Sequence, residues 1–160
     1  MQNFIRLPHP QVVRQRVRAL ALLDALLISD VPVRRFNYRS GWDDEEDLAF
    51  MYTPEHAKWC VLFAGDRVVI KGSDPQHHIS ELDVPPFDDP QVREFWHTDP
   101  CDTLCSSFGF EYRDQQWQAL IPPVAGSLKL LDAWFVEPLV YARQLGERTG
   151  QMVDAEAIAP

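Results

Sequence analysis

Two apolar runs joined by a Gly-Asp pair dominate the hydrophobic pattern of this chain. Residues 59–64 and 67–72 are rich in β-branched and aromatic side chains, and Gly65-Asp66 lies between them. Because glycine accepts the positive φ that a two-residue turn requires, the pattern predicts a β-hairpin. Both runs are almost continuously apolar, which is typical of strands in the middle of a sheet.

Two segments have the helical periodicity of 3.6 residues. Over residues 11–28 the apolar side chains share one broad face and arginines lie opposite, which predicts an amphipathic helix packed on the sheet. A second predicted helix begins at residues 126–127. Proline is not tolerated unkinked in a helix interior, so this helix either kinks at Pro138 or ends near Val136 and restarts to about Gly146.

Further strands are predicted from alternation of apolar and polar residues. Residues 33–39 and 48–52 fit this pattern on either side of a loop at 41–47, and residues 107–112 and 117–121 form a second hairpin. Strands joined by short turns make an antiparallel sheet, of about 5–7 strands here, with the helices segregated on one face. We therefore expect an α+β fold flanked by an N-terminal and a C-terminal helix.

The predicted domain organisation is simple. Residues 1–150 are expected to form one domain, and residues 151–160 a flexible tail. Between the two hairpins, residues 73–100 form a long irregular stretch in which 91–96 is a short helix started by Pro90. Loops of this length inside a compact domain are often functional.

Charge is distributed unevenly along the chain. The net charge is −9, but residues 1–41 contain seven arginines and two aspartates, a net charge of +5, and the remainder carries −14. An acidic body argues against non-specific nucleic-acid binding, which needs a basic surface. The excess acid is interpreted as keeping the protein soluble, and it also allows a basic protein partner. Arg14, Arg16 and Arg18 are interpreted as a solvated helix face, with a basic partner-binding strip as the alternative.

The cellular compartment is predicted from the number of cysteines and from the hydropathy of the chain. Three cysteines, an odd and low number, favour a reducing cytoplasm. Residues 1–7 lack the apolar core of a signal peptide, and the apolar stretch 19–28 is too short to span a bilayer. The sequence predicts a cytoplasmic protein without membrane contact, and it leaves the oligomeric state open.

Catalytic motifs are missing from the sequence. It contains no Gly-rich phosphate loop and no Gly-x-Ser-x-Gly elbow. Cys101 and Cys105 are spaced too widely for a common zinc knuckle, and a zinc site would need Cys60 with His56 or His97. We therefore expect no catalytic residue, no metal and no cofactor, and predict that the protein is not an enzyme.

Two polar clusters are candidates for partner binding. One is the acidic loop behind Trp42, which is interpreted as solvated acid, with contact to a basic partner or a divalent-cation site as the alternatives. An aromatic beside packed carboxylates is typical of an interface, although Trp42 fits the rim of the core equally well. The other surrounds His77 and His78, where a metal or acid–base site is the alternative to a solvated loop. The candidate partner-binding residues are Trp42, Asp43, Asp44, Glu45, Glu46, Asp74, His77, His78, Glu81 and Trp96.

A segment of the chain resembles one found in small bacterial cytoplasmic proteins. There, a strand like residues 67–74 ends in a Lys/Arg-Gly-Phe-Asp-His-Glu-Ser turn, followed by a proline-containing loop and an aromatic strand. Ser73 replaces the Phe of that turn, and Pro75-Gln76 replace its His-Glu. As a small acidic α+β protein, the chain is similar to the immunity proteins of bacterial toxin systems, which implies that it binds and occludes a cognate toxin.

Three functional hypotheses follow. The first is a non-catalytic binding protein of the immunity type that meets a basic toxin through its acidic loop and residues 73–89, with Trp42 or Trp96 as an apolar anchor. The second is a metal-binding or hydrolytic domain that uses the His77/His78 region. The third is a structural or adaptor subunit that oligomerises through its N-terminal helix or an open sheet edge.

Overall fold

A six-stranded antiparallel sheet is the centre of the protein. In the computed structural model, which describes residues 6–150, its order is β1-β2-β3-β4-β7-β8, and β5 and β6 form a separate two-stranded ribbon. The strands are β1 Phe36–Asp43, β2 Glu46–Tyr52, β3 Lys58–Ala64, β4 Arg67–Ser73, β5 Ile79–Ser80, β6 Cys105–Ser106, β7 Phe108–Arg113 and β8 Gln116–Ile121. The predicted α+β class with an antiparallel sheet is confirmed.

The predicted central hairpin is formed by β3 and β4. Their register pairs Ala64 with Arg67, so the turn is Gly65-Asp66, and Gly65 has a positive φ of 59°. Both strands have neighbours on each side, and the second hairpin is β7 with β8. The predicted loop at 41–47 is corrected, because β1 and β2 run through it and leave only Asp44-Glu45 as a turn.

Helix α1 spans Pro10–Leu27 and confirms the N-terminal prediction. Pro10 fits its first turn, where no backbone N–H is required, and the His9 ring accepts a hydrogen bond from the Gln11 N–H. A buried row on one side faces the sheet: Val13, Val17, Leu20 and Leu23. Asp24 lies in the same row, and its carboxylate accepts hydrogen bonds from the backbone N–H groups of Arg35 and Phe36 and from Tyr141.

The C-terminal region resolves the two alternatives at Pro138. A 3-10 helix covers Ser127–Trp134, and α3 then begins at Pro138 and continues to Thr149, ending at Gly150 in the left-handed conformation. The chain therefore breaks before the proline and restarts. Pro138 occupies the first helical position, where its missing N–H leaves no bond unmade.

One side of the sheet, which we call the helix face, is covered by α1, α3 and the Ser127–Trp134 helix. Its core is aromatic and aliphatic, with Trp59 and Trp134 in edge-to-face contact at 5.2 Å between ring centroids. Burial of rings of this size contributes much of the stability of a small domain.

The opposite side, the excursion face, is covered by residues 74–107, which we call the excursion. This segment contains α2, Pro90–His97, whose Val92, Phe95 and Trp96 pack against Cys60, Leu62 and Val69 of the sheet. The prediction that the helices occupy one face is therefore wrong. Since β3 and β4 are apolar on both sides, both sides need cover, and α2 supplies the second.

The flexible tail predicted at residues 151–160 lies outside the described residues. Within residues 6–150, every helix is too short or too polar to cross a bilayer.

Candidate binding surface

A cavity of about 330 Å³ lies between the β1–β2 hairpin and α2. Its inner wall is apolar, formed by buried side chains of the sheet, of α2 and of the loop that follows α2: Leu48, Leu62, Phe95 and Cys101. Its rim carries the carboxylates of Asp43, Glu46 and Glu94 together with Trp42. We call this feature the acidic cavity. Apolar walls with a few converging polar groups are the usual composition of a binding pocket.

The three rim carboxylates are not neutralised by neighbouring cations. In the part of the chain that is described, neither Asp43, Glu46 nor Glu94 has a lysine, arginine or histidine nitrogen within 4.0 Å of its carboxylate. Asp43 accepts a hydrogen bond from the Asp44 N–H at 2.8 Å, and Glu46 accepts one from the Gln91 side chain. Carboxylates that line one cavity repel one another unless a positive group lies between them.

The hairpin that carries Trp42 owes its shape to two local features. Glu45 in the turn has a positive φ of 60°, and Gly41 has a φ of 64° where the register of β1 and β2 shifts. The Gly41 N–H donates to Asp47 Oδ1 at 3.0 Å, which closes this bulge. Bulges redirect side chains. Trp42 lies half-buried at the cavity, and the Arg39 guanidinium lies over its ring at 5.6 Å from the centroid.

Arg67 fixes the α2 side of the cavity to the sheet. Its guanidinium contacts Asp89 at 2.8 Å and Glu111 at 2.6 Å and donates to Gln91 at 2.7 Å, and Gln91 in turn donates to Glu46. The hydrogen bond from Arg67 lowers the pKa of Asp89 despite partial burial. Burial alone would lower the pKa of Arg67, but its hydrogen bonds to Asp89 and Glu111 outweigh this and raise it. The rim is therefore held in place.

The ten predicted partner-binding residues do not form one surface. Trp42, Asp43 and Glu46 line the acidic cavity, and Asp44 and Glu45 are exposed in the adjoining turn. Trp96 is 0% exposed, so the idea that it is an exposed anchor is corrected: it is a core residue of the excursion face. The remaining four residues lie along the excursion, in two separate environments.

Asp74 and His77 form a pair at the start of the excursion. His77 Nδ1 lies 3.0 Å from Asp74 Oδ2, and Lys129 Nζ lies 3.9 Å from the same oxygen. Asp74 is buried, which by itself would raise its carboxyl pKa, but the Gln76 N–H, His77 and Lys129 lower it overall. His78 points elsewhere and is exposed. A buried carboxylate beside a half-exposed imidazole can orient the ring for proton transfer.

Glu81 belongs to a different cluster, in which it meets a buried lysine. Its carboxylate accepts hydrogen bonds from Trp96 Nε1 at 2.7 Å and Ser106 Oγ at 2.8 Å, and lies 3.4 Å from Lys71 Nζ. Lys71 is 2% exposed and also donates to the Trp96 carbonyl at 3.1 Å. Burial lowers the pKa of Lys71, and Glu81 partly offsets the effect. The cluster connects the excursion to β4.

The three cysteines do not converge at one site. Cys60 is buried beside Cys101, and burial together with this neighbour raises the pKa of Cys60, which keeps it an unreactive thiol. Cys105 lies apart, with its sulfur 3.1 Å from Ser73 Oγ. Nowhere in residues 6–150 do three or more His, Cys, Asp or Glu side chains converge as metal ligands would.

Sequence reasoning missed Glu94, Gln91 and Lys71. The first two belong to the predicted short helix, but the pattern did not show that α2 packs against the far side of the sheet, where Glu94 faces the hairpin. Lys71 had a visible signal, since a charged residue ending the run Val68-Val69-Ile70 in a central strand must find a buried partner.

Comparison of the chain with protein-family models, curated proteins and solved structures found no match. Its function is therefore argued from its own residues.

Proposed function

We propose that this chain is a non-catalytic binding protein that recognises a basic protein partner through the acidic cavity, in the manner of an immunity protein that occludes a toxin. The supporting observation is the combination at one site: an apolar inner wall, a half-buried tryptophan and three carboxylates without a cation partner among residues 6–150. A lysine or arginine side chain of the partner fits this combination, because its aliphatic stem can pack on the apolar wall while its charged end meets the carboxylates at the rim.

The electrostatics favour a protein partner in particular. A negative rim attracts a basic surface over about a Debye length and accelerates association, and the fixed position of Glu46 on Gln91 limits the side-chain entropy lost on binding. We place this interaction in the cytoplasm, where the three free thiols remain reduced.

Panning of a phage-displayed library of random twelve-residue peptides against the full-length protein tests this proposal. We expect enrichment of peptides containing arginine or lysine next to an apolar residue. The variant E46Q/E94Q removes two rim charges without changing shape and is expected to lose that enrichment. The matched control E55Q/E147Q makes the same chemical change at two exposed positions away from the cavity and is expected to retain it.

Two results would contradict the proposal. One is enrichment of neutral or acidic peptides on the wild-type protein, and the other is an identical set of basic peptides on E46Q/E94Q and on wild type. For an enriched peptide, the affinity should also fall as salt is raised, because the rim charges are exposed to solvent.

A hydrolytic function is a second candidate, and the Asp74–His77 pair favours it. The expected activity is hydrolysis of chromogenic nitrophenyl carboxylate or phosphate esters with His77 as general base. H77Q should abolish it and H78Q, which changes the neighbouring exposed histidine, should not. Equal rates for both variants, or no hydrolysis by the wild-type protein, would exclude this role.

A further inference from the structure

Strand β1 forms one end of the sheet, and no strand within residues 6–150 lies beside its outer edge. The Phe36 N–H points to this outer side, where it donates to Asp24 at 2.7 Å, while the Arg35 carbonyl accepts from Tyr52 on the inner side. Backbone groups of alternate residues in an antiparallel strand point the same way, so Tyr38 also directs its N–H and C=O outward. An edge of this kind is a template for a further strand.

A groove of about 440 Å³ runs along this edge, between β1 and α1. Ala21, Ala25 and Leu22 line its helix side, and Phe36 and Tyr38 its strand side. We call it the edge groove. Beside it the chain exposes large apolar side chains: Leu22 is 60% exposed, Leu26 68% and Val33 64%. Exposed apolar residues grouped at one site indicate an interaction surface, whereas scattered ones do not.

The charges around the edge groove are positive. Arg18 and Arg34 line it. Among residues 6–150, neither of these arginines has a carboxylate oxygen within 4.0 Å. In a chain with 24 acidic residues, two unpaired arginines in one groove are complementary to an acidic ligand.

We propose that β1 and the edge groove bind an extended, acidic segment of a partner protein, which adds a seventh strand to the sheet. Alternate side chains of that segment enter the groove, where the apolar ones contact Leu22 and the acidic ones meet Arg18 and Arg34. Backbone pairing gives affinity and the side-chain pockets give specificity in this mode of recognition. The site is separate from the acidic cavity and takes a ligand of the opposite charge.

Charge also decides against a second copy of the chain as the occupant. Residues 1–41 carry a net charge of +5, and pairing β1 with β1 of another copy would bring two such segments together. Like charges brought across an interface oppose association. An acidic strand meets the same backbone without that repulsion.

Fluorescence anisotropy with a labelled ten-residue peptide, in which acidic and β-branched residues share one face of the extended chain, tests the proposal on the full-length protein. We expect saturable binding that weakens at least about tenfold in R18Q/L22Q, because both the charge and the apolar contact are lost. Arg18 and Leu22 are exposed, so the fold is retained. The matched control R93Q/L104Q makes the same two changes on the excursion and should bind as wild type does.

N-methylation of the peptide distinguishes strand addition from simple filling of the groove. Methyl groups on one alternating set of amides should abolish binding, and methyl groups on the other set should not, because only one set faces β1. Equal effects of both sets, absence of binding, equal binding of a lysine-containing peptide of the same pattern, or a dimer of the protein alone by light scattering would each overturn the proposal.

Discussion

The two faces of the sheet are covered by different kinds of structure. The helix face is closed by α1, α3 and the Ser127–Trp134 helix, with polar contacts confined to a few positions such as Asp24. The excursion face is closed by one long segment with one short α-helix and one turn of 3-10 helix, a buried Lys71–Glu81 pair and the acidic cavity. The difference separates two tasks: the helix face stabilises the domain, and the excursion face carries the candidate binding site.

The largest expected effects come from removing one tryptophan from each face. Trp134 and Trp96 are both fully buried, and truncation of either to alanine should destabilise by about 3–5 kcal/mol. We expect W134A to lower the free energy of global unfolding in urea. W96A should act first on the excursion, because its ring fills the space above Gly109 and its indole N–H holds Glu81.

Amide hydrogen exchange separates these two outcomes. In W96A, faster exchange should be concentrated in residues 74–107, while the strands keep most of their protection. Uniform acceleration across β2, β3 and α1, as expected for W134A, would show that the two faces do not open independently.

Substitutions in the Lys71–Glu81 pair are expected to have the next largest effect on stability. E81L leaves the lysine charge buried without its partner and should cost about 3 kcal/mol, at the low end of the usual range because Glu81 is partly exposed. The double variant K71M/E81L removes both charges and should recover most of the loss. Chemical denaturation measures both values, and a double variant no more stable than E81L would show that the pair itself is not the cause.

The same pair predicts that the stability of the fold depends on pH in the alkaline range. Because burial lowers the pKa of Lys71, the folded chain binds fewer protons than the unfolded chain between that lowered value and about 10.4. The contribution of this group to stability therefore rises with pH through that window. K71M should remove the rise, which denaturation at a series of alkaline pH values checks.

Asp89 at the start of α2 gives the smallest expected effect. Asparagine also caps helices well, so D89N keeps the cap on Gln91 and Val92 and loses only the charge that meets Arg67. At neutral pH we expect the free energy of unfolding to fall by about 0.5 kcal/mol, which is typical of a partly exposed ion pair.

The sign of the acid dependence at Asp89 follows from its lowered pKa. Its contribution is fully present above the unfolded-state pKa of about 3.9 and is lost as pH falls through the lower folded-state pKa. D89N should therefore flatten the acid limb of the stability profile, and D88N, one residue earlier and exposed, should not.

The comparison of the faces also explains what the sequence predicted. The continuous apolar runs of β3 and β4 identified the central hairpin, and the helical period identified α1, because local patterning decides both. The apolar pattern on both sides of these strands implied a second covering layer, but residues 73–100 have no strong period and did not reveal it. The acidic loop was found from composition, while Glu94 depended on how α2 packs, a tertiary property.

The entry and exit of the excursion have a consequence for how this protein can diversify. Gly72 and Phe108 are directly opposite in the pairing of β4 and β7, so the segment leaves and rejoins the sheet at one place. A replacement of different length that still covers the apolar side of β3 and β4 would be compatible with the same strand order and the same helix face. Related proteins with this architecture can therefore differ in the α2 wall of the acidic cavity, and so in the partner they bind, while they keep the same sheet and helices.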